Sequence, residues 1–220
     1  MKRIFSLVFV FTIFVGVQSC NVNKGLAGLS PAQALNGVQA LLGSTSQNAL
    51  KGFAGNALSN AVIQKAMPKG LSNITSILGN TTQGTKALGL LNNAMGSALP
   101  DVATSVLGNF TKSIPAADAL GILKGGKTGA TDFVKKAAGN KLTNALLPVL
   151  TQKLTENGGL NAITSALGGQ ASSLLGSDKP SLASLATSGT VDGLFALMGE
   201  AEKKERANPT DPILKEIFGK

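Results

Sequence analysis

The chain has 220 residues, of which 20 are Lys or Arg and 11 are Asp or Glu, giving a formal net charge of +9. It contains one cysteine and no histidine, tryptophan or tyrosine, which excludes an internal disulfide and removes the residues that most often bind zinc or activate a nucleophile. We therefore expect no metal, no cofactor and no nucleic-acid partner, because nucleic-acid grooves rely on arginine forks and stacked aromatic rings.

Residues 4–17 form an uncharged, mostly apolar run that follows two basic residues. A short positive segment followed by about 7–15 apolar residues is the layout of a secretory signal, and the run is shorter than a membrane span of about 20 residues. It leads directly into Ser19 and Cys20, which resembles the bacterial lipoprotein signal, where the peptide is cut immediately before a cysteine that then carries lipid. We predict a signal peptide over 1–19, cleavage between Ser19 and Cys20, and lipid attachment at Cys20.

This signal implies a lipid-anchored location in the bacterial cell envelope, with the bilayer as a partner through acylated Cys20. By the same resemblance the cysteine carries three lipid chains, and stable anchoring takes more than one. Asn21, rather than Asp, follows the cysteine, so we expect the outer membrane, with the domain facing the periplasm. Residues 20–29 are mostly small, polar or glycine, which predicts a short flexible tether.

Helix start and stop signals recur through the rest of the chain. Ser30, Pro31 and Gln33 have the pattern of a capping box that opens the first helix, and Gly43 has the position of its end. Pro148 lies within an apolar stripe and is expected to kink or break that helix. The predicted helices cover residues 31–42, 45–66, 71–79, 84–98, 101–110, 115–124, 129–138, 141–157, 191–207 and 212–218, with a loop over 167–180.

No segment alternates between apolar and polar residues over the length of a strand, and Ala and Leu dominate the apolar content. The sequence therefore predicts an all-α fold, a compact multi-helix bundle of about ten short to medium helices that forms a single domain over 30–220. Many of the 27 glycines close predicted helices. Others, such as Gly52, Gly55 and Gly193, fall inside them, where we expect them to let helices pack closely.

Residues 121–128 read GILKGGKT and match the pattern of a phosphate-binding loop. That loop follows a buried strand and turns its backbone N–H groups toward phosphates at a helix N-terminus. Here the preceding residues predict a helix, and no apolar strand ending in aspartate follows to hold magnesium. We therefore interpret Gly125 and Gly126 as the end of one helix and Thr128 as the cap of the next, and we expect no nucleotide partner.

Three stretches of the chain carry a recognisable pattern: ALGILKGGKTGATDFVKKAAGNKLTNALLPVL, VDGLFALMGEAEKKERANP and DPILKEIFGK. The residues that match the pattern are Gly125, Gly126, Thr131, Phe133, Asp192, Phe195, Pro209 and Phe218. The pattern resembles that of a family of uncharacterised bacterial envelope proteins, catalogued only as a domain of unknown function. Members of this family are helical and exported, often with a lipoprotein signal, so the resemblance implies a fold and a location but no activity.

No residue stands out as catalytic, because the carboxylates are scattered and most of them have a structural role in a predicted helix. The charged stretch 199–209 is interpreted as a solvated helix face, with Glu200 facing Lys204 and Glu202 facing Arg206 at a spacing of four residues. We therefore expect a non-enzymatic structural or interaction module that binds another envelope component, such as an envelope protein.

Two alternatives stay open. One is a helical carrier or binding domain for an apolar ligand, held in a cavity lined by Leu and by the five phenylalanines that follow the predicted signal peptide, Phe53, Phe110, Phe133, Phe195 and Phe218. The other is a hydrolase of envelope polymers that brings together two carboxylates from distant segments.

Overall fold

The computed structural model describes residues 26–175 and 181–219, and the regular structure in these ranges is entirely helical. The predicted all-α fold is therefore confirmed, while the predicted signal peptide, Ser19 and Cys20 lie outside the described residues. Two single-turn 3-10 helices are Leu26–Gly28 and Gly168–Gln170. The α-helices are α1 Pro31–Phe53, α2 Ala61–Ala66, α3 Lys69–Gly79, α4 Thr82–Lys112, α5 Ala116–Lys124, α6 Gly129–Glu156, α7 Gly159–Leu167, α8 Ala171–Leu175, α9 Leu182–Ala207 and α10 Pro212–Phe218.

Helix α9 lies at the centre of the bundle, packed mainly against α1 and α6 and also against α2, α3 and α4. Its buried surface consists largely of small residues, which let the neighbouring helices approach closely. A Cβ atom at Gly193 would lie 2.8 Å from Ile63 Cγ2 in α2, so the expected role of this glycine in close packing is confirmed. The hydroxyls of the buried residues Thr187 and Thr190 donate to carbonyls four residues earlier in α9, so their burial leaves no polar group unpaired.

By length and composition alone, α9 also qualifies as a candidate membrane span. Within the bundle, however, 67% of its most apolar window is buried by the surrounding helices. Core helices pass the same test of length and hydropathy, so burial accounts for the apolar character of α9.

Three helices are longer than their sequence signals indicated. α1 continues through Gly43, α4 continues through Pro100, and α6 joins the segments 129–138 and 141–157 into one helix. The helix ends predicted at these points are wrong because buried side chains on both sides of each point belong to one core. Pro148 lies on the exposed side of α6, where a carbonyl freed by the missing N–H faces water. The buried residues that flank the predicted ends are Leu41, Leu42, Thr45, Leu99, Ala103, Ala138 and Leu142.

The other differences between the predicted and the observed helices lie in segments with weaker helix signals. Helix α9 begins at Leu182 rather than at 191, and α7 was not predicted. Residues 171–175, in the expected loop, form the short α8. Gly55 lies in a turn with φ of 79° rather than inside a helix. The three helical segments are rich in Gly, Ser and Thr, whose weak helix propensity is overridden by packing against the core.

Candidate functional site

Gly125 and Gly126 form the turn between α5 and α6. The N–H of Gly125 donates to the carbonyl of Ile122, and Gly126 has φ of 85°, a left-handed conformation that favours glycine. The prediction that these glycines end a helix is confirmed. Thr128 does precede α6, but its hydroxyl donates to Asp132 Oδ2 at 2.9 Å instead of capping the helix.

The start of α6 is capped from a distance by Glu202 of α9. The carboxylate of Glu202 accepts hydrogen bonds from the backbone N–H groups of Ala130, at 3.0 Å, and Thr131, at 2.7 Å. Glu202 is completely buried, and its negative charge lies at the positive end of the α6 dipole. Two of the free N–H groups at this helix start are thereby satisfied.

Arg206 completes this arrangement one turn further along α9. Its Nε and Nη2 atoms lie 2.8 and 2.7 Å from Glu202 Oε1, and Nη1 donates to the carbonyl of Leu123, the residue before the last one in α5, at 2.7 Å. The guanidinium also lies 4.9 Å from the ring centroid of Phe218 in α10. The Glu202–Arg206 pair therefore holds together the end of α5, the start of α6 and the last helix of the chain.

This geometry determines the structural role of residues 121–128, GILKGGKT. Its first four residues are the last turn of α5 and not a loop after a strand. The N–H groups of Ala130 and Thr131, which begin the following helix, already bind the carboxylate of Glu202. A phosphate at this helix start would compete with a buried negative charge of the same chain. The residues therefore serve as a structural turn.

Glu205 is the second buried acid of the stretch that we predicted to be a solvated face. Its carboxylate accepts from the hydroxyl of Ser44 at 2.9 Å and from the N–H and hydroxyl of Thr210 at 3.0 and 2.7 Å. Burial acts to raise the pKa of Glu205, but these three hydrogen bonds to the charged form outweigh it and lower the pKa. The turn through the half-buried Pro209, which leads from α9 to α10, is thereby tied to α9 and to Ser44 of α1.

The interpretation of 199–209 as a wholly solvated face is thus wrong for its two buried acids. Glu200 is exposed as expected, but its partner is Lys203, at 2.7 Å, rather than Lys204. The sequence did contain a signal for the burial. Glu202 and Glu205 continue the face of α9 that carries the buried residues Leu194 and Met198 at helical spacing.

The five phenylalanines do not line one common cavity. Phe53 and Phe195 are buried in the core. Phe110 and Phe133 contact each other, with ring centroids 5.9 Å apart, and Phe218 lies beneath Arg206. The positions of these rings lend no support to the apolar cavity that the carrier alternative requires.

A groove between α2, α6 and α9 brings together several of the predicted motif residues. We call it the α9 groove; its volume is about 580 Å3, within the range of ligand-binding clefts. Motif residues Thr131, Asp192 and Phe195 line it, together with small side chains of α2 and α9. Its lining residues are Val62, Lys65, Ala66, Thr128, Thr131, Asp132, Lys135, Asp192, Phe195, Ala196, Gly199, Glu200 and Lys203.

The charges of the α9 groove are balanced, with three lysines and three carboxylates. Lys135 lies 2.9 Å from Asp192, and the two side chains are 51% and 36% exposed. The hydrogen bond from Lys203 is the main cause that lowers the pKa of Glu200. Lys65 has no ion-pair partner within the described residues, so it remains available to a ligand.

Thr131 is the unusual polar residue of this groove. It is 3% exposed, and its Oγ1 is the one buried side-chain oxygen or nitrogen in 26–175 and 181–219 that lacks a hydrogen-bond partner. Threonines further along α6, such as Thr143 and Thr151, donate to the carbonyl four residues earlier. Thr131 is the third residue of α6, so no helical carbonyl precedes it at that distance.

A second groove, between α1 and α4, has a different character. Its volume is about 320 Å3, and Leu42, Leu50 and Leu107 contribute to a lining whose only charged residue is Lys112. Gly43 also lines this groove, and a Cβ atom added there would meet no atom within 4 Å. This lining is suited to an apolar ligand.

Within the described ranges, no three His, Cys, Asp or Glu side chains are grouped as a metal ion would require. The search of the curated proteins and that of the solved structures gave no significant match. A family model described as a protein of unknown function (DUF4197) matches residues 28–219. This match covers most of the chain and confirms the resemblance carried by the three motif stretches, so the chain belongs to the DUF4197 family.

Proposed function

We propose that this protein is a lipid-anchored, non-enzymatic interaction module that binds a segment of another envelope protein in the α9 groove. The observation that carries the proposal is the groove itself, which has an apolar floor and a rim of both charges. A polypeptide offers both complementary groups, because it has apolar side chains and charged side chains.

The rim charges favour a partner segment with an acidic and a basic side chain. The pairs Lys135–Asp192 and Lys203–Glu200 are exposed, and exposed pairs of this kind contribute only about 0–1 kcal/mol, so they exchange readily for contacts with a partner. After these pairs form, Lys65 and Asp132 remain as one positive and one negative group on the rim.

The same features argue against the hydrolase alternative. A general acid works near neutral pH when its pKa is raised, whereas the pKa of Glu200 in the α9 groove is lowered. Asp192 is held by Lys135, and Asp132 accepts from the hydroxyl of Thr128. Carboxylates held in this way are suited to recognition, and this supports the proposal that the protein is not an enzyme.

The location in this proposal depends on Cys20. We propose that the signal is cleaved after Ser19 and that acylated Cys20 anchors the protein in the outer membrane, facing the periplasm. Mass spectrometry of the mature protein should show a diacylglycerol on Cys20, and Cys20→Ser should leave the precursor uncleaved. Normal cleavage of the Cys20→Ser precursor would contradict the proposed anchor.

The binding proposal is tested in cells with the native, anchored protein. Chemical cross-linking should give a discrete larger species that contains a second envelope protein, and Ala196→Trp should remove it by filling the α9 groove. Ala137→Trp is the matched control, because Ala137 is an exposed alanine of α6 that does not line the groove. Recovery of a lone monomer under conditions that cross-link known envelope complexes would contradict the proposal.

A second candidate function is a carrier for an apolar ligand, favoured by the groove between α1 and α4. Native mass spectrometry of protein purified from membranes should then show a bound lipid. Gly43→Leu should remove that mass by filling the groove, since the added side chain enters open space. Absence of ligand mass from the wild-type protein would rule out this candidate.

A further inference from the structure

Two large apolar side chains are exposed in the described part of the chain, Leu147 in α6 at 36% and Ile213 in α10 at 42%. Ile213 is not isolated. Together with Leu29 and Ile217 it lines a notch of about 120 Å3 between the start of α1 and α10. Leu29 is half-buried and lies two residues before the first residue of α1.

This notch lies where the chain enters the bundle from its proposed anchor. Six peptide units separate Cys20 from Leu26, so they span at most about 21 Å even when fully extended. A compact domain of this length is on the order of 40 Å across. The tether is therefore too short for the opposite side of the bundle to turn toward the bilayer.

We infer that the face formed by Leu29, Ile213 and the exposed side of α10 rests on the lipid bilayer, with the Ile213 side chain at the boundary between headgroups and acyl chains. The inference rests on the proposed lipidation of Cys20. The acyl chains supply the binding strength, and the exposed isoleucine fixes which face of the domain is turned to the membrane.

Charge does not set this orientation. Lys215 and Glu216, both exposed on α10, have opposite signs and cancel in the field of an anionic membrane surface. The apolar side chain of Ile213 is left as the feature that distinguishes this face. Leu147 has a similar exposure but lies in α6 and does not line this notch, so it provides a matched control.

The chain contains no tryptophan, so a single introduced tryptophan reports its own surroundings. The experiment uses the full, lipidated protein with Ile213→Trp or Leu147→Trp. Each variant is bound to vesicles of phosphatidylethanolamine and phosphatidylglycerol whose acyl chains are brominated near the headgroup. Asn36→Trp, an exposed position in the same notch, is a second reporter that does not alter α10.

We expect bromine to reduce the fluorescence of the tryptophan at 213 roughly twofold, because side chains at a bilayer interface lie about 5–10 Å into it. Tryptophan at 36 should be quenched less, and tryptophan at 147 should be unaffected. Equal quenching at 213 and 147, or none at 213 and 36, in protein that carries its lipid mass and floats with the vesicles would overturn this inference alone. Protein that lacks the lipid mass and stays off the vesicles would overturn the proposed anchor as well.

Discussion

Replacing Glu202 by glutamine removes one negative charge from the centre of the Glu202–Arg206 pair while keeping the shape of the side chain. Glutamine offers one carbonyl oxygen where the carboxylate accepted from the N–H groups of both Ala130 and Thr131. Its NH2 group then faces either one of these donors or the guanidinium of Arg206, which is only 11% exposed. At least one buried donor and one buried positive charge lose their partner.

The size of the effect follows from these losses. Breaking a buried ion pair by removing one partner costs about 3–5 kcal/mol, and a buried N–H without an acceptor contributes about 1–3 kcal/mol within that range. For a protein of this length, each kcal/mol corresponds to about 2–4 °C, so we expect the melting temperature to fall by about 6–20 °C.

The assay is chemical and thermal unfolding of the mature protein, followed by circular dichroism. Glu200→Gln provides a matched control on the same helix, since the Glu200 side chain is 46% exposed and its pair with Lys203 lies at the surface. This control should change the free energy of unfolding by less than about 1 kcal/mol. If Glu202→Gln lowers the free energy of unfolding no more than Glu200→Gln does, Glu202 does not organise the turn between α5 and α6.

Three further predictions concern other parts of the fold. Because the pKa of Glu205 is lowered in the folded protein, its contribution to the free energy of unfolding should be complete above the ordinary carboxyl pKa and should be lost as the pH falls through the pKa of the folded state. Glu205→Gln should therefore flatten the acidic part of a curve of stability against pH. An unchanged slope would contradict the hydrogen bonds of Glu205. Gly84→Ala should destabilise the protein, because the new Cβ at the start of α4 would overlap a backbone oxygen of α3. Gly89→Ala in the same helix meets open space and should stabilise the protein by about 0.5–1 kcal/mol. Equal effects of the two variants in urea titrations would count against the close packing of α3 on α4. Thr131→Val should leave stability unchanged or raise it by about 1 kcal/mol, because it removes a buried hydroxyl without a partner; a clear loss of stability would show that the hydroxyl is bonded within the fold.

The helical class and several helix ends were predictable because local chemistry fixes them. Ser30 accepts from the N–H of Gln33, while the Gln33 side chain accepts from the N–H of Ser30, as the capping box predicted. Asp211 caps α10 by accepting from the N–H of Ile213 at 2.8 Å. At such positions the side chain that forms the cap is adjacent in sequence to the groups that it satisfies.

The continuity of the long helices was not predictable in the same way. Gly43 and Pro100 predict helix ends when only the neighbouring residues are considered. Helices α1 and α4 nevertheless continue through these residues, because the buried face of each helix extends on both sides. The energy of that burial is set by partner helices far away in the sequence. A local propensity of about 1–3 kcal/mol at one residue is small beside it.

The candidate site was likewise predictable only where neighbouring residues determine it. The family motif located the turn after α5, and the helical spacing in α9 contains the signal for burial of Glu202. The partner groups of that carboxylate lie 71 and 72 residues earlier in the chain, so a single sequence does not reveal them. The α9 groove combines residues from three separate segments, and only the fold brings Lys65, Lys135 and Glu200 to one rim.

Site-specific photocross-linking in cells can show whether the α9 groove binds another envelope protein. A photoreactive phenylalanine derivative replaces Ala196 in the groove or, as a control, the exposed Ala137 of α6. We expect a protein adduct from position 196, none from position 137, and peptides with both acidic and basic side chains at the cross-link. An adduct at 137 with none at 196, or no protein adduct at either position in correctly anchored protein, would contradict binding in the α9 groove.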